Sequence, residues 1–128
     1  MPVVLAFALW LGAAPANPNG DFDARVHQAK MAEAATTGPA YQKALWDRIG
    51  NPTTDAYKGC LAGDRPPDKS PFTLVLDLDA QGKPQRIAVR PATRVATCMA
   101  GRFAGWTFPV PPASPVPYPL EIDFSVTP

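Results

Sequence analysis

Residues Thr93–Pro109 read TRVATCMAGRFAGWTFP, and their pattern decides how the rest of the chain is arranged. Val95, Cys98, Met99, Phe103 and Trp106 recur at three- and four-residue intervals, which places them on one stripe of a helix. Thr93 stands where it can cap that helix. Pro91 closes the extended segment before it, and Pro109 and Pro111 forbid its continuation. On either side the apolar residues alternate with period two instead. The helix is therefore expected to cover one face of a small sheet.

Upstream lies a first strand, Phe72–Leu78, with Phe72, Leu74, Leu76 and Leu78 on one side and Thr73, Val75, Asp77 and Asp79 on the other. Ala80–Lys83, with Gly82, reads as a hairpin turn into a second strand, Gln85–Arg90. Downstream, a proline-rich crossover (Pro109–Pro117) leads to a third strand, Tyr118–Val126. There Leu120, Ile122, Phe124 and Val126 alternate with Glu121, Asp123 and Ser125. A crossover helix leaves strand three parallel to strand two. It is then antiparallel to strand one and can pair beside it, in spatial order 2-1-3. The face away from the helix carries Asp77, Asp79, Arg86, Arg90, Glu121 and Asp123. Opposite charges on neighbouring strands suit a face turned to water.

Before the sheet the pattern is helical. Asp21 can cap a helix running to about Thr36, whose thin stripe of Phe22, Val26 and Ala29 predicts a peripheral element. Gly38-Pro39 ends it. A second helix is expected at about Ala40–Ile49, with Gly50 as its cap and Asn51-Pro52 as a turn. A third, Thr53–Leu61, carries Ala56, Tyr57, Cys60 and Leu61 on one face. The fold class is α+β: N-terminal helices (residues 17–61), then a strand-strand-helix-strand unit (62–128) with a three-stranded antiparallel sheet covered by one helix.

Residues 1–16, MPVVLAFALWLGAAPA, form an apolar run of signal-peptide length ending in an A-x-A cleavage pattern, without the usual basic residues at its start. It falls short of the roughly 18 apolar residues of a spanning helix. The mature chain is expected to be periplasmic or secreted, with no membrane insertion. Cys60 and Cys98 are the only cysteines. In an exported chain they most simply form one disulfide, worth about 4 kcal/mol for a loop of roughly 40 residues; the alternative is two buried thiols.

The 128 residues suffice for one domain, and Lys+Arg 12 against Asp+Glu 11 lacks the basic footprint of a nucleic-acid binder. No catalytic set appears. His27 has no partner acid or nucleophile nearby, and Ser70, Ser114 and Ser125 lie in no nucleophile motif. Asp77–Gly82 starts like a calcium loop, but its twelfth position is Ala88. Neither enzyme activity, cofactor nor metal is expected.

Taken together, a helix bearing Cys60, the hairpin FTLVLDLDAQGKPQRIAV, the helical VATCMAGRFAGW, the exit Trp106-x-Phe108-Pro109 and a final alternating strand resemble the TonB-like C-terminal domain. The likeness is closest to its cysteine-containing relatives and covers about Thr53–Val126. Where energy transducers of that kind have an uncleaved anchor and a long charged spacer, this sequence is expected to have a cleavable segment and a short helical region. The resemblance implies an envelope compartment and a partner-binding edge on the final strand, at Tyr118, Leu120, Glu121, Ile122, Asp123 and Phe124. The expected function is that of an exported interaction module adding a strand from an envelope protein or peptide, basic to suit Glu121 and Asp123. The same edge could instead be protected by the N-terminal helices or by dimerisation. The competing reading is an inhibitor or immunity-type protein that blocks a toxin or cell-wall hydrolase through Ala62–Pro71 or Pro111–Pro117.

Overall fold

A computed structural model describes residues 18–126, so the expected signal segment, residues 1–16, lies outside the described residues. In chain order the elements are α1 (Pro18–Ala34), α2 (Gly38–Ala62), β1 (Phe72–Leu78), β2 (Pro84–Arg90), α3 (Arg94–Ala104) and β3 (Tyr118–Phe124). The sheet is antiparallel in the order β2-β1-β3, with β1 central.

The alternation in the sequence sets which face packs. Phe72, Leu74, Leu76 and Leu78 of β1 and Tyr118, Leu120 and Ile122 of β3 are buried in one cluster with Val95, Ala96, Met99 and Phe103 of α3. Thr93 caps α3, its hydroxyl accepting from the Ala96 amide at 3.1 Å. α2 lies beside α3 and contributes Tyr41, Leu45, Ile49, Ala56 and Cys60 to the same core. A disulfide joins Cys60 of α2 to Cys98 of α3.

Two expectations fail on this side of the molecule and the other. The second and third helices are one continuous helix of 25 residues, with Pro52 inside it. The proline removes one hydrogen bond and frees the carbonyl of Arg48. Both residues face solvent, where water can satisfy that carbonyl. Meanwhile Tyr41, Leu45, Ile49, Thr53, Ala56 and Cys60 are all buried, so one apolar face runs unbroken past the proline. Burial of that face outweighs the local breaker.

The charged sheet face, expected to be turned to water, is instead partly covered: Asp77 is buried, while Arg86, Arg90 and Asp123 remain exposed. α1 packs across it, against β3 and β1. Its inward residues are Phe22, Ala29 and Ala32, and beneath it Val75 and Asp77 are buried. The sheet is thus the middle of three layers. Charges seat α1 as much as apolar area does. Arg25 lies 3.7 Å from Asp77 and donates to the Arg86 carbonyl at 2.6 Å, and the Arg90 guanidinium stands 5.6 Å from the Phe22 ring centre.

Three residues, Ala35–Thr37, join α1 to α2. The turn is so tight that a Cβ on Gly38 would collide with the Glu33 carbonyl, so glycine is required there. At the hairpin between β1 and β2, Asp79 accepts from the Gln81 and Lys83 amides at 2.9 Å each. Gly82 adopts φ +81° and its carbonyl accepts from the Phe108 amide.

Candidate partner-binding edge

A three-stranded sheet has two outer edges, and these differ. Along β2 the register advances two residues on β1, from Val75 to Asp77, but three on β2, from Ala88 to Gln85. This is a β-bulge, and Arg86 within it takes φ +52°. The bulge turns the Arg86 side chain toward the α1 face, where it pairs with Asp77 at 3.1 Å. It also bends the edge away from any strand that would pair with it. β3 has no such interruption. Seven consecutive pairs run from Phe72↔Phe124 to Leu78↔Tyr118 without a shift.

The β3 edge is covered over its first half and open over its second. α1 lies on one face of β3 and α2 on the other, where Tyr41 meets Tyr118 edge-to-face at 5.2 Å. The short turn between them therefore wraps round the start of β3. Tyr118, Pro119 and Leu120 are accordingly all buried, without the alternation a one-sided strand would give. The Tyr41 hydroxyl donates to the Pro109 carbonyl at 2.9 Å, and burial pushes its phenol well above the usual range. From Ile122 onward, exposure alternates again.

That open half borders a groove of about 530 Å³ between β3 and α2. Five consecutive residues line it, Ile122 to Val126, together with Trp46, Thr53, Tyr57 and Lys58 of α2. Side chains of consecutive strand residues point to opposite faces. Ile122, Asp123 and Phe124 belong to β3, so a groove touching all three runs along the strand's edge rather than under one face. Tyr57 stacks on Phe124 at 6.0 Å, and Phe124 on Phe72 at 4.6 Å, so the floor at that end is aromatic and fixed. The Thr53 hydroxyl is buried there without a hydrogen-bond partner.

The electrostatics of the edge differ from the acidic strip that Glu121 and Asp123 suggest in sequence. Lys30 of α1 reaches both, at 3.0 Å from Glu121 and 4.0 Å from Asp123. Asp123 also accepts from the Thr73 hydroxyl at 2.8 Å. Burial under α1 pushes the Glu121 carboxyl above its ordinary value of 4.5, against the opposing pull of the Lys30 hydrogen bond. A strand-face carboxyl expected to sit in water is thus perturbed, because α1 desolvates it.

The remaining singled-out residues lie elsewhere. Phe108 is fully buried and stacks with Phe103 at 5.9 Å. Trp106, which its spacing places on the apolar stripe of the helix, is only partly buried. α3 ends at Ala104, and the indole turns back onto Phe103 at 4.6 Å, next to Ile49 and Pro52 of α2. Pro109 is half-buried and lies far along the chain from the edge groove. The sequence reading missed Trp46, Thr53 and Lys58. A signal existed for Trp46: it follows Leu45 and falls off the helical stripe, and an off-stripe tryptophan is an exposed one.

Among the described residues no group of three His, Cys, Asp or Glu side chains could hold a metal ion, and no helix is long and apolar enough to cross a membrane. Compared with protein-family models, curated proteins and solved structures, the chain has no match.

Proposed function

We propose that this protein is an exported, non-catalytic interaction module that binds an extended segment of an envelope protein as an added strand on the open half of β3. The observation that carries this reading is the unbulged, unpaired edge from Ile122 onward, opening into a groove. Such an edge presents backbone donors and acceptors that a partner strand can satisfy, while pockets beside it select side chains. The disulfide suits an oxidising compartment. The resemblance of residues 53–126 to the TonB-like C-terminal domain supports the same edge, and the wrapped first half limits the added strand to a few residues.

The test is selection of displayed random ten-residue peptides against the full chain, followed by binding to Asp123→Pro. A proline in a sheet is accommodated where its missing amide faces away from the ladder. Pro119 of β3 sets that phase, and Asp123, four residues on, repeats it. Asp123→Pro removes one outward donor and should weaken the selected peptides at least about tenfold. Circular dichroism checks that the variant folds. Backbone N-methylation of the peptides tests the same bonds from the other side should it not. Peptides that bind the folded variant unchanged, or that tolerate N-methylation at every position, would sink strand addition. In that case the exposed Val110 and Val116 of the proline-rich crossover become the surface to pursue.

A further inference from the structure

The groove beside β3 also carries information about which segment it would accept. Resting on the strand-addition reading above, we infer that the partner segment pairs a bulky apolar residue with an acidic residue two positions away, both facing α2.

Tyr41 of α2 contacts Tyr118 at the start of β3, and Tyr57 contacts Phe124 at its end, so the helix and the strand run the same way. Sixteen helical residues advance about 24 Å, and six strand residues about 20 Å. Positions on α2 therefore map onto positions along the edge. A strand added to β3 turns every second side chain toward α2 and the others toward α1.

The middle of the groove is apolar. Trp46 is 42 % exposed, and Val126 at the far end is 40 % exposed, with Ile122 between them. Large apolar side chains left open around an unpaired strand edge suit a bulky apolar residue from the added strand. Toward the end of the strand the charge is positive. Lys58 lines the groove and takes part in no ion pair among the described residues. Of the nearby carboxylates, Asp123 accepts from Thr73 and lies near Lys30, which also holds Glu121, and Asp55, three residues back on α2, forms no ion pair with Lys58. The unmatched charge is a cation, and its complement is an acidic residue, not the basic one suggested by the strand's own sequence.

Spacing follows from the two periodicities. Tyr57 stands at Phe124, so Ile122, two strand residues or about 6.7 Å earlier, falls level with Thr53 of α2, and Lys58 lies five residues further, about 7.5 Å along the helix. Two residues of extended chain cover about 6.7 Å. The acid therefore falls two positions from the apolar residue. It follows the apolar residue if the added strand is parallel to β3 and precedes it if antiparallel.

The experiment reads the sequences that the displayed ten-residue library yields on the full chain. The expected enrichment is a bulky apolar residue and Asp or Glu separated by one residue. A synthetic peptide of that pattern should lose about tenfold in affinity on Lys58→Glu. The same peptide with Lys in place of its acid should regain most of that loss on the variant. Lys58 is exposed, so the variant should fold. Enriched sequences that are basic, or that ignore Lys58→Glu while remaining sensitive to backbone N-methylation, would overturn this inference and leave strand addition standing. Enriched sequences insensitive to N-methylation would overturn both, as would the absence of any enrichment.

Discussion

β2 and β3 both border β1, and both turn one side away from the ladder, but they handle that exposure by opposite means. β2 is closed by its own backbone: an extra residue, Arg86 at φ +52°, kinks the edge and anchors it to Asp77. β3 stays straight, and closure comes from outside, from the turn of a helical hairpin, which covers the strand's start through Leu120. A bulge is permanent once the strand forms. A cover made of another element can be partial, and here it leaves a stretch with a groove beside it. The contrast singles out the open stretch of β3 as the place where the proposed strand addition would act.

The strongest way to break this contrast is Asp77→Ala. Asp77 is buried and faces both Arg86 of the bulge and Arg25 of α1. Its loss leaves the half-buried Arg25 with only the Arg86 carbonyl as partner and should cost about 3 kcal/mol in chemical unfolding. If the bulge guards β2, the variant should also self-associate in sedimentation. Gly38→Ala acts on the other edge. The added methyl collides with the Glu33 carbonyl, so the hairpin must open by shifting α1. A cost of about 1–3 kcal/mol is expected, with faster amide exchange at Tyr118 and Leu120. Unchanged exchange there would mean the hairpin does not shield β3. Trp106→Ala touches neither edge and serves as the reference. A fully buried tryptophan would cost about 3–5 kcal/mol; a partly buried one should cost roughly half, with peptide binding unaltered.

The smallest effect is expected from Glu121→Gln. Burial raises this carboxyl above 4.5, so the folded chain binds its proton more tightly than the unfolded chain does. Its contribution to stability is therefore greatest below pH 4.5 and declines as pH climbs through the raised value. The variant should flatten that part of the curve of unfolding midpoint against pH. An identical slope in both proteins would show that α1 does not desolvate the strand.

Much of this architecture is legible in the chain's periodicities. The stripe from Val95 to Phe103 and the alternation of β1 and β3 give strand order and the packed face directly, because each element buries residues at its own repeat. α1 is not legible in the same way. Phe22, Ala29 and Ala32 make too thin a face to announce a packed helix, and what seats it are Arg25–Asp77 and Lys30–Glu121, pairs between distant parts of the chain. The unbroken α2 was there to be read: Tyr41, Leu45, Ile49, Thr53, Ala56 and Cys60 keep step across Pro52, and the proline rule alone hides it. Trp106 shows the reverse error, since its spacing continues a helix that has already ended. The bulge at Arg86 has no local marker, being placed by the partner strand. The edge strand was legible as Tyr118–Val126, against the observed Tyr118–Phe124, but its division into a covered and an open half was not, since the cover and the groove wall come from α1 and α2.

The bridge between Cys60 and Cys98 has one more consequence. It closes the chain into a covalent ring that contains β1, β2 and the exposed loop at Ala62–Pro71. A protease cut within that loop, for instance after the exposed Lys69, opens the ring without releasing a fragment. The nicked molecule keeps its mass apart from one water, and its two pieces part only when a reductant is added. This loop can thus be severed without the protein coming apart.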